Sequence, residues 1–310
     1  MARRIRRIKE ETAYSEVQRT VDRQFLFKPD PVVKNIIGSS VGRAQKQFPV
    51  RLFWVDFNIN HKQTGVMALS DDPEHLQNVV KFHRLCNSLL AREINRFLLR
   101  EGPVFSSRNR STEVVDDRSL EQQLLYAVTN PVKDGLVDRV AHWQGVSSYH
   151  QLATGEVDRY TYIDRTKWHR AGGKRCKKPM SAFTETVEVV LSPLPSWEHL
   201  PDHKRQSMFR RLVRQEEQEF REQREKEHRS VMGKRKLEKL DFRDRPKTKK
   251  YSGPQPLCHA SNIEAAREFR KGWNLYLDHY YQMSGHFLEG NFNVEFPKGS
   301  IRPPLIQVCM

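Results

Sequence analysis

The sequence predicts an α+β protein: a ferredoxin-like four-stranded antiparallel sheet with helices on one face, followed by a mostly helical C-terminal extension. Three observations carry that expectation. Segments of period two and period 3.6 follow one another as strand, helix, strand, strand, helix, strand, helix up to about residue 137. That order is the β-α-β-β-α-β plan with one helix added. The second half holds two long helix-like stretches, and no internal repeat suggests a solenoid. The organisation expected is a first domain over residues 1–153, a mixed connecting region over 154–200 and a basic helical extension over 201–310.

Each element has its own signal. Residues 13–20 alternate as a strand, and the basic run from Arg3 to Lys9 before them could act as an arm on a nucleic-acid backbone. Asp30-Pro31 opens a helix that Pro49 ends; an aspartate before an N1 proline is a helix-start signature. Residues 51–57 form an apolar second strand, Asn58-Ile59-Asn60 a turn, and residues 61–69 a third strand. Strand alternation turns His61 and Gln63 to the same face. Asp71-Asp72-Pro73 starts a helix that runs to about Leu99, and Gly102-Pro103 breaks it. Residues 104–106 and 111–115 are strand-like, joined by the basic Arg108-Asn109-Arg110.

The next helix carries a tyrosine. Ser119-Leu120-Glu121-Gln122 has capping-box form, and Leu120, Leu124, Ala127 and Val128 make one apolar face. Tyr126 and Asn130, four residues apart, project from another face. Pro131 disfavours helix at Asn130 and should place the polar pair at the helix end, with Gly135 at the turn beyond. After Trp143 to Ser148 the chain is mixed, with a basic loop at Lys174-Arg175-Cys176-Lys177-Lys178 and a possible strand at Val187–Leu191. Pro201-Asp202 starts a polar helix expected to reach about Asp241, its polar faces solvated or turned to DNA. Residues 243–254 read as a linker. Residues 263–281 read as a helix whose aromatics pack locally, and the tail from Phe292 to Pro304 as extended.

Composition bounds the partner. The 310 residues carry a formal net charge of +16, half of it between Asp202 and Lys250. Such a field favours a polyanion. No apolar run is long enough to span a bilayer, and no apolar stretch follows the basic N-terminus as in a signal peptide. Nucleic acid is therefore favoured over membrane. Cys86, Cys176, Cys258 and Cys309 are scattered, which suits reduced thiols and a cytoplasmic location.

Taken together, Asn60-His61-Lys62-Gln63 on a strand and Tyr126-Ala127-Val128-Thr129-Asn130-Pro131-Val132 with Gly135-Leu136-Val137 on a later helix resemble the HUH single-strand transposases, and within them the REP-associated tyrosine transposases. Ala13-Tyr14 with Arg19, Gly102-Pro103-Val104-Phe105 with Arg108, and Trp143 to Ser148 add smaller matches in the same order, over roughly the first half of the chain. The resemblance implies a transposase fold and a bacterial, nucleoid-associated DNA transposase, or a protein derived from one. It implies Tyr126 as nucleophile on a DNA phosphodiester, joined to the 5′ phosphate. It also implies Mg²⁺ or Mn²⁺ held by His61, Gln63 and Asn130. The DNA partner would be a single-stranded or hairpin end, bound by a monomer or a homodimer. Basic residues expected on the DNA are Arg3, Arg4, Arg6, Arg7, Arg19, Arg108, Arg110, Lys133, Lys174, Arg175, Lys177 and Lys178.

The sequence departs from the family where His-x-His becomes His61-Lys62-Gln63 and where Ser15-Glu16 follows Tyr14. Gln63 keeps an oxygen donor suited to a hard cation, and Lys62 is expected to add a cation beside the site. The alternative is a catalytically weakened, domesticated DNA-binding protein of the same fold.

Overall fold

The structure, a computed structural model, describes residues 5–247 and 255–300. Arg3, Arg4, the Ser252-Gly253-Pro254 part of the linker and the tail beyond Ser300 lie outside the described residues. The elements in order are β1 Ala13–Arg19, α1 Pro31–Gln47, β2 Arg51–Asn58, β3 His61–Met67, α2 Pro73–Phe97, β4 Arg110–Val114 and α3 Asp117–Lys133. There follow α4 Tyr149–Thr154, β5 Asp158–Ile163, α5 Arg165–Arg170, β6 Thr184–Val189, α6 Asp202–Lys226, α7 Lys234–Lys239, β7 Cys258–His259 and α8 Ile263–Leu288.

The main sheet has five strands, not four, in the order β2-β3-β1-β4-β7. The first four pair antiparallel, and β7 from the C-terminal region pairs parallel to the outer edge of β4, Glu113 opposite Cys258. An edge strand offers free N–H and C=O groups, and β7 covers part of that edge. Residues 104–106 form no strand, only a bridge between Phe105 and Thr20.

Helices cover both faces: α1 and α2 lie on one, and the helix that follows the fourth strand, α3, takes the other. Val33 and Ile37 of α1 and Val79 and Leu90 of α2 pack with Tyr14, Leu52 and Val66 in one apolar cluster. Leu124 and Val128 of α3 pack with Phe53, Trp54 and Met67 in a second. Gly65 of β3 lies under the Trp54 ring, where a Cβ would stand 2.2 Å from the ring carbons. The hairpin β5–β6 packs on α1, and Tyr160 and Val187 join the first cluster. Phe209 and Val213 of α6, with Trp197 and Leu237, join the second.

The helix beginning at Asp202 stops at Lys226 and does not reach Asp241. His228 and Gly233 then take positive φ and turn the chain back onto the end of α3. There Met232 N–H donates to Gly135 O at 2.7 Å and Gly233 N–H to Leu136 O at 3.0 Å. Nor is α6 solvated all round. Its buried Arg224 donates to Val132 O at 2.9 Å and to Asp138 at 2.8 Å, and Glu217 accepts from Val140 N–H at 2.7 Å. A buried guanidinium thus adds a second kind of donor to the Val132 carbonyl in the last turn of α3, which also accepts from Gly135 N–H at 3.0 Å. The expected aromatic packing on α8 is partial: Trp273 and Tyr276 are buried, while Tyr281 and Leu275 are exposed.

Between the sheet and α2 lies a buried polar layer. His83 Nε2 is 2.9 Å from Glu16 Oε2, Asn109 donates to Glu16 at 2.6 Å, and Lys62 donates to Asn87 Oδ1 at 2.5 Å. Burial alone would raise the Glu16 carboxyl; His83, Arg6 and Lys62 outweigh it and hold it at about 2. The unfolded value is near 4.5, so Glu16 contributes stability above that pH, and the contribution is lost as pH falls towards 2. Urea unfolding should therefore show stability falling on acidification across that window. Glu16→Gln should be destabilised at pH 7 and should lack this part of the pH dependence.

Candidate active site

α3 begins earlier than its capping-box signal suggests. Asp116 is the N-cap, and its Oδ1 accepts from Ser119 N–H at 2.8 Å. The helix also runs through Pro131 to Lys133. The proline brings no N–H to the carbonyl of Ala127, one turn back. Gly135, at φ 70°, then ends the helix. Asn130 is therefore held inside a helix, 5 % exposed, with its side chain turned to the sheet.

β3 supplies the opposite wall. His61 and Gln63 face α3, while Lys62 points through the sheet to Asn87 of α2. Lys62 is therefore not a cation beside the site, because alternation puts it on the other face. Asn130 Nδ2 lies 2.8 Å from His61 Nε2, and His61 Nδ1 lies 2.9 Å from Asn60 Oδ1. The partners assign the tautomer: Nδ1 carries the proton and donates to Asn60, and Nε2 presents its lone pair to the Asn130 amide. Burial, with Arg19 adding to it, lowers the His61 pKa to about 4. Gln63 is 6 % exposed, and its Oε1 has no hydrogen-bond partner.

These three residues line one small pocket with Asp56, Asn58 and Pro131. Asp56 was not singled out by sequence reasoning; its signal is the lone carboxylate in the apolar run of β2. Its register partner is Gln63. Asp56 Oδ1 accepts from Ser147 Oγ at 2.6 Å and Ser148 N–H at 3.2 Å, while Oδ2 is buried without a partner. Burial raises the Asp56 carboxyl to about 6 against the pull of those hydrogen bonds. His61, Gln63 and Asn130 fit a hard divalent cation in donor type: one neutral imidazole nitrogen and two amide oxygens, one of them orphaned. Among the described residues no three His, Cys, Asp or Glu side chains form such a cluster, so amides would have to contribute.

Tyr126 stands at the rim, one turn before Asn130 and 42 % exposed. Burial and Asp134 raise its pKa, and Arg19 pulls the other way. Lys133 Nζ sits 4.2 Å from the centre of the tyrosine ring. Arg19 is half-buried opposite His61 in register; burial, Arg23 and Arg110 lower its pKa, marking three guanidinium groups close together. These bring Arg19, Arg110 and Lys133 to the tyrosine side of the sheet.

Other basic residues fall elsewhere. Arg7 is 8 % exposed, paired with Glu113 at 2.6 Å and covered by the rings of Phe269, Trp273 and Tyr276 at 5.3, 4.7 and 4.9 Å. Arg6 donates to Asn109 O. Both are therefore internal ties rather than a free arm. Arg108 is exposed just before β4. Lys174, Arg175, Lys177 and Lys178 are exposed in the connection between β5 and β6, a hairpin that packs on α1, across the sheet from Tyr126.

No family model matches the chain, and no curated protein matches it. Among solved structures, one described as the REP-associated tyrosine transposase bound to a REP hairpin is similar over 50 % of this chain and 87 % of that chain. The identity is 16 % and the TM-score 0.38. No helix among the described residues is long and apolar enough to cross a membrane.

The tautomer has a direct readout. In nitrogen-detected NMR of the imidazole, His61 should stay neutral with a protonated Nδ1 at pH 6 and titrate near pH 4. Asn130→Ala should move the Nε2 resonance and leave the Nδ1 resonance in place. A His61 that titrates near 6.5 would contradict the half-buried, Asn60-oriented ring.

Proposed function

We propose that the protein is a DNA strand-transfer enzyme of the tyrosine-transposase type, cleaving single-stranded or hairpin ends through a 5′-phosphotyrosine. The observation that carries this reading is the meeting of His61 Nε2 and the Asn130 amide at 2.8 Å, one helical turn from Tyr126 and beside the unpartnered Gln63 oxygen. The sequence resemblance supplies the reaction, and the net charge of +16 supplies the attraction to a polyanion.

The chemistry follows from the groups present. Tyr126 Oη attacks the scissile phosphorus; the Oη–P bond forms and the P–O3′ bond breaks. The phenol gives up its proton and the leaving 3′ oxygen gains one. The ester stored on the tyrosine lets a second 3′ hydroxyl reverse the step without a nucleotide cofactor. Arg19, Arg110 and Lys133 place positive charge on the side of the sheet where the phosphate must sit, and charge aimed at a phosphoryl group lowers the barrier. His61, Gln63 and Asn130 would hold the divalent cation, which when bound polarises the phosphate and offsets developing charge. The fixed Nδ1–H···Asn60 bond keeps the His61 lone pair aimed into the pocket.

A second reading, DNA binding without efficient cleavage, is favoured by one observation: the Asn130 Nδ2 group now occupies the His61 Nε2 lone pair. The two separate in one assay. Incubation with a pool of single strands and hairpins in Mg²⁺ should yield a covalent adduct at Tyr126, found by mass spectrometry. Tyr126→Phe should lower adduct formation at least about a thousandfold while binding stays within a few-fold. Binding should weaken with salt, with a log–log slope of about −0.7 per single-strand phosphate neutralised. Tight binding with no adduct from any member of the pool would select the second reading.

A further inference from the structure

Gln63 and Asp56 face each other across the β2–β3 ladder, and both line the pocket that holds His61 and Asn130. Each keeps one buried oxygen without a protein partner, Gln63 Oε1 and Asp56 Oδ2. Directly opposed strand residues on one face have Cβ atoms about 5 Å apart, so the two oxygens belong to one small space. The other Asp56 oxygen is fixed by Ser147 and Ser148, which sets the plane of the carboxylate and leaves Oδ2 as its open end. Among the described residues its hydrogen bonds come from Ser147 and Ser148, and Lys62 of the paired strand points to the other face. A buried carboxylate without a cationic partner is costly unless something neutralises it.

The donor set lacks one thing a hard divalent cation needs. His61, Gln63 and Asn130 are all neutral, and affinity for such ions is tuned by the number of charged oxygens in the site. We propose that Asp56 is the anionic ligand of a divalent-cation site shared with Gln63, His61 and Asn130. This rests on the reading of the pocket given under Proposed function and goes beyond the three ligands that the resemblance implies. In this arrangement the carboxylate of β2 makes up for the amide that stands where the family has a second histidine. The site keeps its hardness and gains a negative charge from a neighbouring strand. Loading also requires the Asn130 amide to turn, so that its oxygen replaces Nδ2 towards the ion.

The test uses the full chain and Mn²⁺ alone. Free Mn²⁺ is read by electron paramagnetic resonance during titration of wild type, Asp56→Asn and His61→Ala. Asp56→Asn keeps an oxygen acceptor for Ser147 and removes the charge. The expected result is saturable binding to wild type and a loss of at least about tenfold in both variants. A second measurement needs no variant: at low Mn²⁺ occupancy, the wild-type Ser148 amide and Trp143 Nε1 resonances should broaden, since both residues adjoin the Asp56 pocket. Binding to Asp56→Asn within threefold of wild type, or no broadening at Ser148, would overturn the assignment. So would a wild type that takes up no Mn²⁺ at millimolar concentration. The functional reading fails separately: Mn²⁺ binding that depends on Asp56, with no Tyr126 adduct on DNA, sinks the strand-transfer reading and leaves the cation site standing.

Discussion

The central strands β1 and β3 carry buried polar groups on both faces, and their pairing decides which of those groups meet. His61 and Gln63 look towards α3, while Lys62 between them looks towards α2. On β1, Ser15 bonds to Gln123 of α3, and Glu16 turns to His83 and Asn109. A slip of one residue would exchange the two sets, putting a lysine in the imidazole's place and the imidazole among the partners of Glu16. Each polar layer therefore helps to fix the other. The charged layer under α2 brings Glu16 to His83 and Lys62 to Asn87 only in the register that also brings His61 under Asn130. Buried polar groups that find their partners in one register alone help to specify a single arrangement.

The second constraint comes from the C-terminal half. The side of α3 away from the sheet is covered by Phe209 and Val213 of α6, and its last turn is capped by Arg224. The returning segment at Met232 and Gly233 bonds to the turn that Gly135 makes possible. The tyrosine helix is thus clamped from both sides, and Asn130 has little freedom except at its amide. A catalytic constellation needs this kind of support, because small displacements of reacting groups cost orders of magnitude in rate.

Much of this was legible in the residues. The strand and helix order up to α3 follows from Pro31, Pro73 and the apolar periodicities. The pairing of His61 with Gln63 on one face follows from alternation alone, and the same rule should have sent Lys62 away. What escaped were long-range partnerships. Asp56 looked like an interruption of an apolar strand, and only the register with Gln63 gives it a neighbour. The break after Lys226 depends on where the chain must turn to reach Gly135, which no local pattern encodes. Arg7 lay in a basic run that resembles a DNA arm, and the rings that cover it lie more than 250 residues away.

That last contact shapes how the molecule is assembled. Arg7 and Ile8 meet Gly299 and Ser300, so the two ends of the described chain close on one another against Glu113. On the ribosome, residues 13–133 can pair their strands and bury α1 and α2 long before α8 is made. Until then the Arg7–Glu113 ion pair has no aromatic cover, and the outer edge of β4 has no neighbour. Vectorial synthesis therefore leaves this seam open until residues 299 and 300 have been made. A protease that reached the chain before then would find the seam open.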